Sequence, residues 1–173
     1  MYCDSLMSVV IHNSVTSIGE CAFYGCGSLT SIIIPDSVTS IGWSAFGDCS
    51  SLTTVKYMGD ISGWCNISFR GSYANPMYYA KELYINDTLM AGELIIPDSV
   101  TSIGYESFAY CSRLTKIVIP DSVTSIGYRA FYSCDSLTSV IIPDSVTSIG
   151  YQAFDGCSIL NEIKYTGNAQ QWK

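Results

Sequence analysis

Residues 26–48 read CGSLTSIIIPDSVTSIGWSAFGD, and this stretch sets the architecture. Leu29, Ile32 and Ile34 have the spacing of a leucine-rich strand segment, so Ile32 and Ile34 leave an extended chain on one side and Ile33 on the other. Pro35-Asp36 ends the strand, because proline brings no N–H to a ladder and aspartate bonds the backbone two residues on. Val38 and Ile41 turn back inward, Gly42 permits a tight turn, and Ala45-Phe46 reads as a short helical or 3₁₀ turn. One such coil cannot bury its apolar face alone; stacked neighbours can.

The neighbours are in the sequence. Ser-Val-Thr-Ser-Ile-Gly begins at Ser14, Ser37, Ser99, Ser122 and Ser145, four steps of which three are 23 residues and one is 62. Phasing on cysteine places units at Cys3, Cys26, Cys49, Cys111, Cys134 and Cys157, with Thr88 in the cysteine position of a further unit. Regular repeats then cover residues 3–48 and 88–156. A degenerate repeat plus a 16-residue insertion at 72–87 fills 49–87, and a second degenerate module starts in 157–173, where Lys164-Tyr165 through Trp172 matches Lys56-Tyr57 through Trp64. The expected fold is one β-rich solenoid of the α/β class: a main parallel strand, a second short strand and a short helical turn per coil. Phe23, Phe46, Phe69, Phe108, Phe131 and Phe154 form its internal column. The chain starts within a unit and stops within a module, so it reads as a piece of a longer array whose open strand edges favour end-to-end association.

Composition removes whole classes of function. Of 173 residues 13% are charged and 48% apolar, which excludes disorder, and a net charge of −7 repels phosphate backbones and anionic membranes. There is no apolar run long enough to span a bilayer and no signal peptide. His12 is the single histidine, and no nucleophile–base pair or metal-ligand spacing occurs, so the chain does not read as an enzyme and calls for no cofactor.

The period, Leu29-x-x-Ile32-x-Ile34-Pro35, Val38-x-x-Ile41-Gly42 and Ala45-Phe46-x-x-Cys49 together resemble the BspA-like leucine-rich repeat family, the Treponema pallidum-type repeat of bacterial cell-surface proteins. The stretch from Tyr57 to Asn86 is similar to a module that interrupts such arrays. The resemblance implies a right-handed leucine-rich-repeat solenoid without catalytic residues. It also implies a cell-surface or secreted location and adhesion to host extracellular-matrix or cell-surface proteins.

Candidate sites are the outward positions. On the main strand these are Val10, Ile33, Lys56, Ile95, Val118, Ile141 and Lys164, beside a varied set comprising Ser8, Ser31, Thr54, Glu93, Lys116, Ser139 and Glu162. An apolar stripe with varied neighbours is how a solenoid offers a protein-binding face, although β-branched residues favour strands whatever they bind. After the glycine comes a second column with Trp43, Tyr105, Tyr128 and Tyr151, among Glu20 and Asn66, suited to gripping a ligand or to stiffening the array by ring stacking. The next column holds Cys21, Ser44, Ile67, Glu106, Arg129 and Gln152, where Glu106 and Arg129 read as a weak surface pair. Asp36, Asp98, Asp121 and Asp144 read as turn formers more readily than as a calcium ladder. The six phased cysteines read as a buried seam of free thiols. The function expected is a non-catalytic surface binding module, with a structural spacer or self-associating stalk as the alternative.

Overall fold

In the coil 26–48 the inward positions are filled as the alternation requires. In a computed structural model that describes residues 3–71 and 73–166, Leu29, Ile32, Ile34, Ile41, Ala45 and Phe46 have no exposed surface, while Ile33 is half-buried on the opposite face. The chain divides after Leu89 into two units, each a parallel β-solenoid. In the first, β1 (Ser8–Val10), β3 (Ser31–Ile34), β5 (Thr54–Tyr57) and β7 (Glu82–Ile85) form the main sheet, and β2 (Ser17–Ile18), β4 (Ser40–Ile41) and β6 (Ser68–Phe69) the second. In the second unit β9 (Gly92–Ile95), β11 (Leu114–Val118), β13 (Ser139–Ile142) and β15 (Glu162–Tyr165) make the main sheet. There β10 (Ser102–Ile103), β12 (Ser125–Ile126) and β14 (Ser148–Ile149) make the smaller one. Pairing keeps the period: Ser8 faces Ser31, Ser31 faces Thr54, and Lys116 faces Ser139.

Corners of a coil leave carbonyls without strand partners, and the repeated hydroxyls satisfy them. Ser37, Ser122 and Ser145 donate through Oγ to the carbonyls of Val15, Val100 and Val123 one coil back, at 2.7, 2.8 and 2.8 Å. Thr53 and Thr138 do the same to Thr30 and Thr115, at 3.1 and 2.9 Å. The cysteine position is filled on the same principle. Cys49, Cys134 and Cys157 direct their thiols at the carbonyls of Phe23, Phe108 and Phe131, 3.1–3.2 Å away. A residue there must be small and apolar and still carry one weak donor, which describes cysteine. Phenylalanine rings stack beside this seam, Phe23 on Phe46 at 5.5 Å, and Phe131 on Phe108 and Phe154 at 5.7 and 5.4 Å.

Gly42 turns out to serve a different purpose from the tight turn expected of it. Its backbone is not left-handed. A Cβ placed on it would lie 2.6 Å from the Glu20 nitrogen and 2.8 Å from the Gly19 carbonyl carbon. Glycine here lets one coil's backbone press against the next. The left-handed residues are elsewhere, flanking Ala-Phe: Cys21, Ser44, Glu106, Arg129 and Gln152 on one side, and Asp48, Tyr110, Ser133, Gly25 and Gly156 on the other. The segment between the two strands' sides is thus a pair of hydrogen-bonded turns in the regular coils.

The irregular coil departs from the sequence alignment in three respects. Thr54 pairs with Glu82 and Ser40 with Ser68, offsets of 28 residues in place of 23. The extra residues therefore lie in 58–67, which joins β5 to β6, where only 35–39 joins β3 to β4. The stretch 72–87 is no external insertion: it carries the turn Pro76–Tyr78 and the in-register strand β7. Second, Phe69 leaves the phenylalanine column. It pairs with Ile41, and Ala74 stands in the column instead, with Met77 in the cysteine position. Third, Asn86 and Asp87, both left-handed, turn β7 into the antiparallel β8 (Thr88–Leu89). Thr88, paired with Ile85 in that hairpin, is not a cysteine equivalent. Gly167 and Trp172, on which the second degenerate module rests, lie outside the described residues.

All eight cysteines are free thiols. Cys26, Cys49, Cys65, Cys111 and Cys134 are buried, Cys157 half-buried, and Cys3, contrary to the seam expectation, is exposed together with Cys21. Burial pushes Cys49 up to about 11 and Cys65 and Cys111 up to about 12. At pH 8 the thiolate fraction of a group at about 12 is on the order of one in 10⁴. A disulfide reagent at that pH is expected to label Cys3 and Cys21 at once and the five buried thiols only as the coils open. Mass spectrometry of timed quenches reads this directly, and prompt labelling of Cys111 or Cys134 would contradict the buried seam.

Candidate interaction surface

Outward strand positions gather into one stripe on each unit. In the first, β1, β3, β5 and β7 present Val10, Ile33, Lys56 and Tyr84, in register by pairing. Val10 is 73% exposed. Lys56 does not simply edge the stripe: its ammonium lies 5.5 Å from the centre of the Tyr84 ring and 3.5 Å from the Asp87 carboxylate. Tyr84 was missed in the sequence because it lies in the stretch read as an insertion. In the second unit, Ile95, Val118, Ile141 and Lys164 align, with Ile95 62% exposed. Beside them Lys116 meets Glu93 at 2.8 Å across neighbouring coils. Both partners are well exposed, so this pair contributes at most about 1 kcal/mol to stability and chiefly orients the two side chains.

The aromatic column resolves into separate pieces. Tyr105 and Tyr128 stack at 4.9 Å with an interplanar angle of 17°, and Tyr151 follows Tyr128 at 6.1 Å. Tyr105 and Tyr128 cover one face of each other, whereas Tyr151 is 75% exposed. Trp43 belongs to the first unit, and its neighbour there is Gly71, not Asn66, which instead ends the helix α1 (Ile61–Cys65). The sequence paired Arg129 with Glu106 but did not announce its contact with two tyrosine rings. Its guanidinium carbon sits 5.0 Å from the Tyr128 ring and 4.7 Å from the Tyr132 ring, and Nε donates to Gln152 Oε1 at 2.7 Å. Glu106, expected on the surface, is buried; burial pushes its carboxyl up, and the Arg129 charge pulls it back part of the way. Ser44 and Ile67, from the same expected column, are buried too. Asp36, Asp98, Asp121 and Asp144 are exposed at their turns. Among the described residues no cluster of His, Cys, Asp or Glu is arranged to hold a metal ion, and no helix is long and apolar enough to cross a membrane.

Parallel coils of leucine-rich spacing with a cysteine seam and a laterally exposed sheet define a leucine-rich-repeat solenoid, a typically non-catalytic fold used for protein interaction. The BspA type leucine rich repeat region matches residues 1–86 and 80–173 in six copies, and the chain belongs to that family. A leucine-rich repeat protein from Bacteroides ovatus ATCC 8483 is similar in structure, with 31% identity and a TM-score of 0.55 over 92% of this chain and 37% of that one. One from Eubacterium ventriosum ATCC 27560 has 21% identity and a TM-score of 0.48 over 94% of this chain and 60% of its own. The leucine-rich repeat protein of T. pallidum has 25% identity and a TM-score of 0.39 over 92% and 69%. The chain thus spans less than two thirds of the length of the first two. No curated protein matches it.

Proposed function

We propose that the chain is a non-catalytic binding module of a bacterial surface that grips a protein partner through its outward strand positions. These are Val10, Ile33 and Lys56 in the first unit, and Ile95, Lys116, Val118, Ile141 and Lys164 in the second. The observation that carries this reading is the division of labour within each strand: Ile32 and Ile34 are fully buried while Ile33 between them is only half-buried, on the outward face. Residues on the open side can change without touching the core. A sheet already fixed by its neighbours also loses little entropy when it binds. The partner class is an extracellular-matrix or cell-surface protein of a host, and the location is the cell surface or the medium. Membership of the family supports both.

The test is binding of the chain to a panel of immobilised matrix proteins, with a variant carrying Ile33→Ser, Ile95→Ser, Val118→Ser and Ile141→Ser. Saturable binding to one protein is expected, weakened at least about 30-fold, roughly 2 kcal/mol, in the variant. Melting of the variant controls for folding. The second reading, a spacer or end-to-end self-associating stalk, is favoured by the near-identity of 37–42, 122–127 and 145–150. Self-association alone, unaffected by the four substitutions, would select it.

A further inference from the structure

The cysteine seam is not uniform along its length. Cys134 and Cys157 stand at the same place on consecutive coils, whose main strands pair Ser139 with Glu162 and Val140 with Ile163. The Cys157 thiol reaches back one coil, donating at 3.2 Å to the carbonyl of Phe131, three residues before Cys134. Its sulfur thereby meets both the N–H and the thiol of Cys134. Between Cys111 and Cys134 the contact is to the backbone N–H and not to the thiol. Cover differs as well. Cys134 is buried and Cys157 half-buried, so a small molecule reaches one member of the pair first. The coil of Cys157 is also the more open of the two: Ile163 is 47% exposed, whereas its strand partner Val140 is fully buried. In the first unit Cys3 and Cys26 make a similar thiol contact.

From this arrangement we infer that Cys134 and Cys157 are an oxidisable pair, which a hydroperoxide closes into a disulfide between consecutive coils. Cys157 is the sulfur that attacks. The Cys134 thiol directed at it favours negative charge there and holds Cys157 below the ordinary thiol range, against the cost of burial and the charges of Asp135 and Asp155. Cys134 is held well above that range, by the same hydrogen bond and by its burial. The Cys157 thiolate takes the terminal oxygen of the hydroperoxide: an S–O bond forms, the O–O bond breaks, and hydroxide or alkoxide leaves. Cys134 then attacks the Cys157 sulfur. The S–S bond forms, the S–O bond breaks, and the hydroxyl leaves with the Cys134 proton as water. Two electrons pass from the sulfurs to the peroxide, and nothing else is consumed. Coil spacing admits the bond, since parallel strands lie about 4.8 Å apart and cysteines bridge at Cα separations of about 4.4–6.8 Å. The torsion a disulfide needs requires one coil to shift on the other, and the open coil of Cys157 is the one with room to do so.

The test treats the reduced whole chain with millimolar hydrogen peroxide at neutral pH, then alkylates it and digests it without reductant. Cleavage before Asp135, Asp144 and Asp155 puts Cys134 and Cys157 on separate peptides, so their bond joins two fragments of known mass. That linkage is expected, with Cys157 consumed at least about tenfold faster than the buried Cys111. Cys157→Ser should leave Cys134 fully alkylatable once the chain is denatured. Cys134→Ser should stop the reaction at the sulfenic acid, which dimedone traps on Cys157. If that variant melts early, dimedone added to the wild-type chain at short times gives the same reading. The proposal is overturned if Cys134 and Cys157 both remain alkylatable when the exposed Cys21 is fully oxidised. A bond at Cys3–Cys26 with none at Cys134–Cys157, or bonds formed only between molecules, overturns it equally. Failure of the strand-face test leaves this one standing, because the two share no residue.

Discussion

Gly127→Ala is expected to lower stability by about 3 kcal/mol, near the upper end for overpacking, because the added methyl meets backbone and not a side chain that could swing aside. Its Cβ would lie 2.7 Å from the Gly104 carbonyl carbon, 2.8 Å from that carbonyl's oxygen and 2.9 Å from the Ile103 oxygen. The coil cannot simply retreat, since the Gly127 N–H is bonded to the same Ile103 carbonyl at 2.8 Å. The strands on either side, β10 and β12, are held by that spacing. The matched control is Gly19→Ala. It occupies the same place in Ser-Val-Thr-Ser-Ile-Gly, but a Cβ there meets nothing within 4 Å, so a change within about 0.5 kcal/mol is expected. Urea unfolding of the two variants decides the matter. Equal effects would mean that the repeated glycine is kept for turn flexibility, as the sequence alone implied, and not for close approach of coils.

That contrast shows which parts of the molecule the sequence could and could not reveal. Inward positions were legible because burial follows a period of two along a strand, and Ile32, Ile34, Val140 and Ile142 obey it without exception. Recurrence identified Ser37 and Gly42 as important but misassigned the work of Gly42 and gave Ser37 none. A hydroxyl bonding a carbonyl one coil back, or a missing Cβ beside a neighbouring backbone, is a relation between coils and leaves no mark within one. The left-handed positions were hidden for the opposite reason. Only Gly25 and Gly156 announce the conformation, while Asp48, Tyr110 and Ser133 adopt it under the constraint of their neighbours. Phe69 misled by coincidence: it falls 23 residues after Phe46, so an alignment by period accepts it. Placing it with Phe46 moves the lengthened segment to 72–87 and hides both β7 and Tyr84. That Arg70 stands level with Gly42 was invisible because it needs the true offset of 28. The strand face was the most legible candidate, since outward alternation needs only the strand itself.

Trp64→Ala is expected to cost about 3–5 kcal/mol and to do so within the irregular coil. Asp60 starts α1 by accepting the Gly63 N–H at 2.7 Å, and that turn delivers Trp64 to the interior, where it is fully buried. The indole packs 5.4 Å from the Tyr57 ring and 5.6 Å from Phe69. Tyr57 is itself enclosed, its phenol pushed up to about 12 by burial and by the charges of Asp36 and Asp60. It fits only because Gly59 and Gly63 have no side chains: a Cβ on Gly59 would lie 2.7 Å from the ring, and one on Gly63 would collide with the hydroxyl. The five residues by which this coil exceeds the others therefore bring in a large ring, and the ring fills the space that their longer path encloses. Ala74, which occupies the phenylalanine position here, is too small to fill it. Removing Trp64 leaves a cavity with no neighbour able to collapse into it, since Tyr57 is fixed by the two glycines and Phe69 by its pairing with Ile41. Because repeats in a solenoid contact only adjacent repeats, the loss should be local. Hydrogen exchange should accelerate at least tenfold in β5, β6 and β7 and remain unchanged in β13. Trp43→Ala, which removes an exposed ring of the same kind, should shift stability by about 0.5 kcal/mol or less. If Trp64→Ala left exchange in β5–β7 unaltered, α1 would be an ornament on the coil and not the plug that lets a 28-residue coil stack on a 23-residue one.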